Sequence, residues 1–222
     1  MSLSYVALIV AVLVLGLGSQ LLVKHSYKKW SKRAGSYGVS GADAARTMLN
    51  TNGLTDVAIV EIPGKLTDNF NPRTNVVSLS TEVYNGTSVA AVAVACHECG
   101  HAVQHAQNYV PAKARGAIFP VVNLASNLWV FVLIAGIFLS MIGLVYVAIV
   151  MFAVVLVFQL VTLPVEFDAS KRANIFVQGS GWLSPQEMGG AKAVLNSAAM
   201  TYVAAALASI LQLIYLLGVA RR

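Results

Sequence analysis

The sequence predicts a mainly α-helical membrane protein that crosses the bilayer four times and carries a small α+β lobe outside it. Two observations predict this class. Of the 222 residues, 57% are hydrophobic and 11% are charged, whereas soluble domains carry about 25% charged residues. A spanning helix needs about 20 mostly apolar residues, and the chain has four such stretches, at Leu3–Val23, Ile118–Leu139, Leu144–Leu163 and Ser197–Ala220.

The charges that flank the first apolar stretch predict its orientation. No charged residue precedes this stretch and no small-x-small cleavage site follows it, so we interpret it as a retained anchor rather than a cleaved signal peptide. Residues 24–115 carry ten Lys or Arg against six Asp or Glu, and the positive-inside tendency therefore predicts that they are cytoplasmic. The final Arg221 and Arg222 then fall outside, which conflicts with the same tendency.

The predicted lobe lies between membrane segments. We expect transmembrane helix 1 at 1–23, the lobe at 24–116, transmembrane helices 2 and 3 at 117–165, a helix with a connecting segment at 166–196, and transmembrane helix 4 at 197–222. Within the lobe, Ser40 and Asp43 resemble a capping box that starts a short helix ending at Asn52-Gly53. Residues 57–62 and 75–80 read as strands, and 66–72 as a polar loop between them. The free edge of this sheet could bind an extended peptide, or the sheet could simply pack on the next helix.

Two imidazoles and a carboxylate stand together in His97-Glu98-x-x-His101. A helix from Thr87 or Ser88 to about Gln107 would place both imidazoles on one face. A hydrolytic zinc site needs two neutral imidazoles, a third protein ligand and a water whose pKa falls to about 7. Glu98 would then be the general base and not a ligand. The alternative is a chance match, but burying these groups without a metal would be costly.

Glu166 is the predicted third ligand, because the topology returns it to the cytoplasmic side. We expect it to open a new helix, with the small Ala169 and Ser170 allowing that helix to approach the histidines. Asp168 is a competing ligand. His105 would lie about 12 Å along the helix from His97, too far to share an ion whose bonds are about 2 Å long.

Five other side chains near the motif are weaker candidates. Cys96 and Cys99 would point about 120° and 180° away from the histidine face, so we interpret them as packing residues. Tyr84, Tyr109 and Asn69 could each stabilise an oxyanion.

The residues now described resemble a known family. His97-Glu98-x-x-His101 with Glu166 is similar to the glutamate-ligated zincins. The longer segments resemble the YugP-like family of small membrane neutral zinc metallopeptidases; these are Leu66–Asp68, Asn71–Arg73, Leu79–Ser80, Val83–Tyr84, His97–His105 and Leu163–Ser170. The resemblance implies a zincin-like lobe and a zinc-dependent membrane endopeptidase that holds one Zn²⁺ per chain.

The chain departs from the family pattern in two places. The family loop usually reads Leu-Thr-Asp-His-Tyr-Asp-Pro, whereas this chain has Asn69, Phe70 and Asn71 at its three variable positions. Glutamate-ligated zincins often carry an Asp four residues after the ligand, which orients a zinc histidine. Here that position is Ser170, so the orienting group is Ser170, Asp168 or a backbone carbonyl.

The predicted function is therefore peptide hydrolysis by a membrane zinc metalloprotease. The expected partners are the lipid bilayer and a peptide or protein substrate; a homo-oligomer or a membrane partner protein is left open, and no basic-aromatic pattern suggests nucleic acid. An intramembrane protease is disfavoured, because only eight apolar residues precede His97 and a span needs about 20. A catalytically silent scaffold with a structural zinc is the other alternative, although such sites have no use for Glu98 and are usually closed by four ligands.

Overall fold

The computed structural model describes residues 3–220, with side chains for residues 5–220. These residues form seven helices and three strands. In chain order they are α1 (Leu3–Trp30), α2 (Gly41–Thr51), β1 (Ala58–Ile62), β2 (Asn69–Asn71), β3 (Val76–Ser80), α3 (Thr81–Tyr84), α4 (Val89–Ala106), α5 (Val110–Phe138), α6 (Ile142–Ser180) and α7 (Pro185–Ala220).

Four helices, α1, α5, α6 and α7, are long and apolar enough to cross a membrane. This confirms the predicted class of mainly α-helical membrane protein. A tight turn joins two of these helices, because α5 ends at Phe138 and α6 begins at Ile142, with Ser140 in the left-handed region at φ 54°.

The prediction that Glu166 opens a new helix is wrong. Helix α6 runs unbroken for 39 residues and contains Pro164, which lacks an N–H and so removes one intrahelical hydrogen bond. Beyond Pro164 the helix buries a stripe at four-residue intervals, consisting of Val165, Ala169, Ala173 and Val177, each at most 1% exposed. Packing of this stripe stabilises the helix through the proline.

The chain divides into two compact units. The first consists of Met1–Gln20, Lys113–Pro164 and Met200–Arg222, and the second of Leu21–Ala112 and Val165–Ala199. The core of the second unit includes apolar side chains of α2, β3 and α4, together with Ala173 and Val177 from α6. All of the predicted metal ligands lie in this second unit, so the fold of the second unit decides their geometry.

The short helix of the second unit begins and ends as predicted. Ser40 is the N-cap of α2, and its Oγ accepts a hydrogen bond of 3.1 Å from the Asp43 N–H. Gly53, just past the C-cap, has φ +73°, a conformation that glycine adopts without strain.

The sheet has three strands rather than the two that were predicted. Its order is β1-β3-β2, with β1 parallel and β2 antiparallel to β3. The prediction that residues 66–72 form a loop is wrong for Asn69–Asn71, which pair with Val76–Ser78. A strand of three residues in which only Phe70 is apolar is too short to show an alternating pattern. Strand β2 is therefore one edge of the sheet.

Candidate metal centre

Helix α4 presents the two histidines of the motif. Ser88 is its N-cap, because the Ser88 Oγ accepts a hydrogen bond of 3.1 Å from the Ala91 N–H. The helix ends at Ala106, one residue before the predicted Gln107, which is its C-cap. Successive buried alanines, valines and cysteines anchor the helix in the core. One turn apart, the His97 and His101 rings meet edge to face with centroids 4.8 Å apart.

Helix α4 touches α6 at a glycine. A Cβ placed on Gly100 would lie 2.7 Å from the Ala169 carbonyl oxygen and 3.1 Å from the Ala169 Cα. The small residue expected on α6, Ala169, is therefore at the contact, while its partner Gly100 was not identified from the sequence. At this contact the backbone of α4, which carries the two histidines, closely approaches the backbone of α6, which carries the third predicted ligand.

The ligand atoms of His97, His101 and Glu166 converge, all within 4.8 Å of one another. The Glu166 Oε2 is 3.4 Å from the His97 Nε2 and 3.6 Å from the His101 Nε2. Four ligands about 2.1 Å from a tetrahedral zinc are about 3.4 Å from each other, so this donor set matches the size and chemistry of zinc. In the described part of the chain, neither Asp168 nor His105 belongs to the cluster.

The far side of each imidazole has a hydrogen-bond partner. The His97 Nδ1 is 3.1 Å from the Ser170 Oγ, and the His101 Nδ1 is 3.0 Å from the Gln104 Oε1. An amide oxygen can only accept, so His101 donates from Nδ1 and keeps the lone pair of Nε2 for a metal. Of the three orienting groups that the sequence left open, Ser170 is the one that contacts His97.

Gln104 was not identified from the sequence. It is 1% exposed, and its Nε2 donates hydrogen bonds of 2.8 Å to both the Val165 carbonyl and the Asp168 Oδ2. Since these acceptors take the amide N–H groups, the oxygen must face His101. Asp168 therefore reaches His101 indirectly, through Gln104.

A cation completes this chain of hydrogen bonds. The Arg172 Nε donates to the Asp168 Oδ2 at 2.6 Å, and the Arg172 Nη1 donates to the Gln107 Oε1 at 2.7 Å. The guanidinium carbon also lies 5.9 Å from the centre of the Tyr109 ring. Tyr109 thus contacts Arg172, and the oxyanion role considered for Tyr109 stays a prediction.

Glu98 is half-buried beside the ligand cluster. Within residues 5–220 its carboxylate accepts no hydrogen bond and forms no ion pair. Burial raises the pKa of the Glu98 carboxyl, while the neighbouring His97 and His101 lower it, and the net shift is upward. The carboxylate is therefore free to exchange a proton with another molecule.

Comparison with known proteins identifies the family. A family model described as "Putative neutral zinc metallopeptidase" matches residues 5–221. The chain belongs to this family. It is also 42% identical over 210 residues to the "Putative membrane protease YugP" of Bacillus subtilis (strain 168), an alignment that covers 95% of this chain and 93% of the relative. The predicted resemblance is confirmed, and no solved structure matches the chain.

Three further residues that the sequence singled out have other contacts in the structure. His105 is exposed, and its ring packs on Phe70 of β2 with centroids 5.9 Å apart. Asn69 is exposed and donates to the Thr67 carbonyl at 2.9 Å, while Tyr84 is a half-buried neighbour of the core. The oxyanion roles considered for Asn69 and Tyr84 stay predictions.

The two cysteines are packing residues, as predicted. Cys96 and Cys99 are free thiols with no exposed surface, and the Cys99 Sγ contacts the Ala45 carbonyl at 3.6 Å. Burial raises the pKa of both thiols. Neutral, buried thiols are unreactive and do not ligate a metal.

Proposed function

We propose that this protein is a zinc-dependent endopeptidase that holds one Zn²⁺ per chain on His97, His101 and Glu166. The observation that carries the proposal is the convergence of three ligand atoms next to an unpaired carboxylate, with the Glu166 Oε2 at tetrahedral spacing from both histidine nitrogens. When bound, zinc would supply a Lewis acid that lowers the pKa of a water to about 7 and polarises the scissile carbonyl.

Each residue of the chain has a distinct part in the proposed reaction. Ser170 and Gln104 take the hydrogen bonds of the Nδ1 atoms of His97 and His101 and so orient the two imidazoles. Glu98 takes a proton from the attacking water at its carboxylate and passes it to the nitrogen of the leaving amine. Its raised pKa suits the first half of this transfer, because a stronger base accepts the proton of the water more readily.

Strand β2 offers a binding edge for the substrate. It is an edge strand of the sheet and contacts α4 through Phe70 and His105. We propose that an extended peptide pairs with β2, since unpaired backbone N–H and C=O groups at an edge bind a further strand. This favours the peptide-binding interpretation of the sheet over simple packing.

We further propose that the centre works on the cytoplasmic side of a multi-pass membrane protein. Residues 24–115, which include α4, carry the excess of positive charge, and such segments stay in the cytoplasm.

Reaction with a membrane-impermeant lysine reagent in whole cells tests this cytoplasmic location. Labelling of exposed Lys65 only after permeabilisation is expected, and labelling of intact cells would place the centre outside.

The experiment that tests the function separates metal binding from catalysis. Detergent-purified wild type, Glu98→Gln, Glu166→Ala and the control Glu82→Gln are compared for zinc content by elemental analysis. Each is also incubated with a mixture of unstructured peptides, and internal cleavage is scored by mass spectrometry. Glu82 is an exposed glutamate on α3, so its substitution makes the same chemical change away from the centre.

We expect one zinc per chain in the wild type, in Glu98→Gln and in Glu82→Gln, and little in Glu166→Ala. Cleavage should fall about 10²–10⁴-fold in Glu98→Gln and stay normal in Glu82→Gln. Full activity of Glu98→Gln would contradict its role as the base. A zinc-loaded wild type that cleaves no peptide would favour the silent scaffold instead.

A further inference from the structure

A cavity of about 340 Å³ is lined by residues of α6 and α7. Helix α6 contributes Lys171, Asn174 and Gln178 to its lining, and α7 contributes Lys192 and Asn196. The lining thus contains two ammonium groups and three side-chain amides. The lining contains no acidic residue.

The two lysines are available to a ligand. Both are exposed, and neither forms an ion pair or hydrogen bond with any other residue in the described part of the chain. Two unpaired cations that share a concave site with amide donors attract an anion with several acceptor oxygens, such as a phosphate.

The cavity also has an apolar wall, which selects among phosphate-bearing ligands. Phe167 and Ile175 line it and are 47% and 62% exposed. A free phosphate ion gains nothing from these side chains. An amphiphile gains from both, since its phosphate meets the lysines while its hydrocarbon covers the apolar surface.

The lysines stand close to the apolar segments along their own helices. Lys171 follows Leu163, the end of the predicted third span, by eight residues, or about 12 Å of helix. Lys192 precedes Ser197, the start of the predicted fourth span, by five residues, or about 8 Å. Lysine side chains reach back toward the headgroup layer from such positions.

The cavity is separate from the catalytic side of the metal centre. Ser170 lines it, and the Ser170 Oγ contacts the His97 Nδ1 at 3.1 Å. Glu166 meets the same ring at Nε2, on the opposite side. A ligand in the cavity therefore lies behind His97 and does not compete with a peptide at the ligand atoms.

We propose that this cavity binds the phosphodiester headgroup of an anionic lipid. Lys171 and Lys192 neutralise the phosphate, the amides of Asn174 and Asn196 donate to its oxygens, and Phe167 contacts the lipid backbone. This binding site does not depend on the proposed peptidase activity, and its test needs no substrate.

The test measures thermal unfolding of the detergent-purified full chain with added short-chain lipids at fixed ionic strength and scan rate. Dihexanoyl phosphatidylglycerol is compared with dihexanoyl phosphatidylcholine and with inorganic phosphate. We expect the anionic lipid to raise the unfolding midpoint by about 3 °C, and the other two ligands to raise it by less than a third as much.

Two double variants carry the same loss of charge. Lys171→Gln with Lys192→Gln should abolish the shift, whereas Lys28→Gln with Lys32→Gln, at exposed positions at the end of α1 and just beyond it, should keep it. Lys171→Arg with Lys192→Arg should also keep it. An equal loss in both Gln variants would overturn the proposal in favour of diffuse attraction. An equal shift with phosphatidylcholine or with inorganic phosphate would overturn the assignment to an anionic lipid.

Discussion

The two imidazoles of the metal centre are held by different means. His97 has one partner, the hydroxyl of Ser170. His101 has a buried amide, Gln104, which is itself fixed by the Val165 carbonyl and by Asp168. A hydroxyl can rotate about its C–O bond and bind in several directions, whereas the Gln104 amide has acceptors on both N–H groups and cannot turn.

The difference shows that α6 organises the whole centre. It supplies the ligand Glu166, the partner of His97, and both anchors of Gln104. Helix α4 supplies two ligands, but their orientation depends on contacts with α6. We therefore expect substitutions to weaken metal binding in order of how many of these contacts they disturb.

Gly100→Ala should have the largest effect, because it separates the two helices and so disturbs both imidazoles. The new Cβ would meet Ala169 backbone atoms that cannot move aside individually, and overpacking of this kind costs about 1–3 kcal/mol. We expect zinc affinity, measured by competition with a chelator, to fall up to about 100-fold.

Gly179→Ala is the matched control for this substitution. Gly179 is also helical, but a Cβ there meets nothing within 4 Å, so it gains the same helix propensity of about 1 kcal/mol without a clash. Unchanged zinc affinity in Gly100→Ala would show that the helices do not need this close approach.

Gln104→Leu should affect the His101 side alone. The leucine fills a similar volume but leaves the His101 Nδ1, the Val165 carbonyl and Asp168 without their partner. Loss of such an orienting group lowers metal affinity about 10–100-fold, and the same chelator competition measures it. Gln104→Glu keeps an accepting oxygen for His101, but it places a second carboxylate next to that of Asp168. The repulsion between the two carboxylates means that this variant should not restore affinity. Wild-type affinity in Gln104→Leu would mean that His101 is positioned by its helix alone.

Much of the fold and the centre could be predicted because the signals are local. Helix α4, its N-cap Ser88 and its histidine pair follow from residues within one or two helical turns. The apolar stretches that predict four membrane helices are equally local. Glu166 could be predicted because a two-histidine motif requires a third ligand and the order of the spans delivers it.

The other features depend on partners that are distant in sequence. Gln104 lies 61 and 64 residues from the groups that bind its amide, and its sequence surroundings resemble those of a solvated glutamine. Gly100 matters only because of Ala169 on another helix. Helix α6 continues through Pro164 because of tertiary packing, which local propensity does not report.

Ser170→Ala should weaken zinc binding less than Gln104→Leu, by about tenfold. It removes a single neutral hydrogen bond from His97 and leaves no charged group unpaired. Ser170→Asp should instead bind zinc more tightly than the wild type, because a carboxylate accepts more strongly from an imidazole N–H. Isothermal titration of the apoprotein with zinc distinguishes the three proteins. A loss larger in Ser170→Ala than in Gln104→Leu would reverse the comparison between the two imidazoles.

Arg172→Gln should have the smallest effect, because Arg172 stands two groups away from the metal ligand. Its ion pair with Asp168 is short, at 2.6 Å, but both side chains are about one-quarter exposed, at 24% and 23%, and such pairs contribute up to about 1 kcal/mol. Asp168 keeps its hydrogen bond from Gln104 in this variant, so the amide still faces His101. We expect zinc affinity to fall by about threefold or less, and the loss to shrink further in high salt, which screens a partly exposed charge. A loss as large as that of Gln104→Leu would show that Gln104 is held mainly through Asp168 and Arg172, with the Val165 carbonyl contributing little to its orientation.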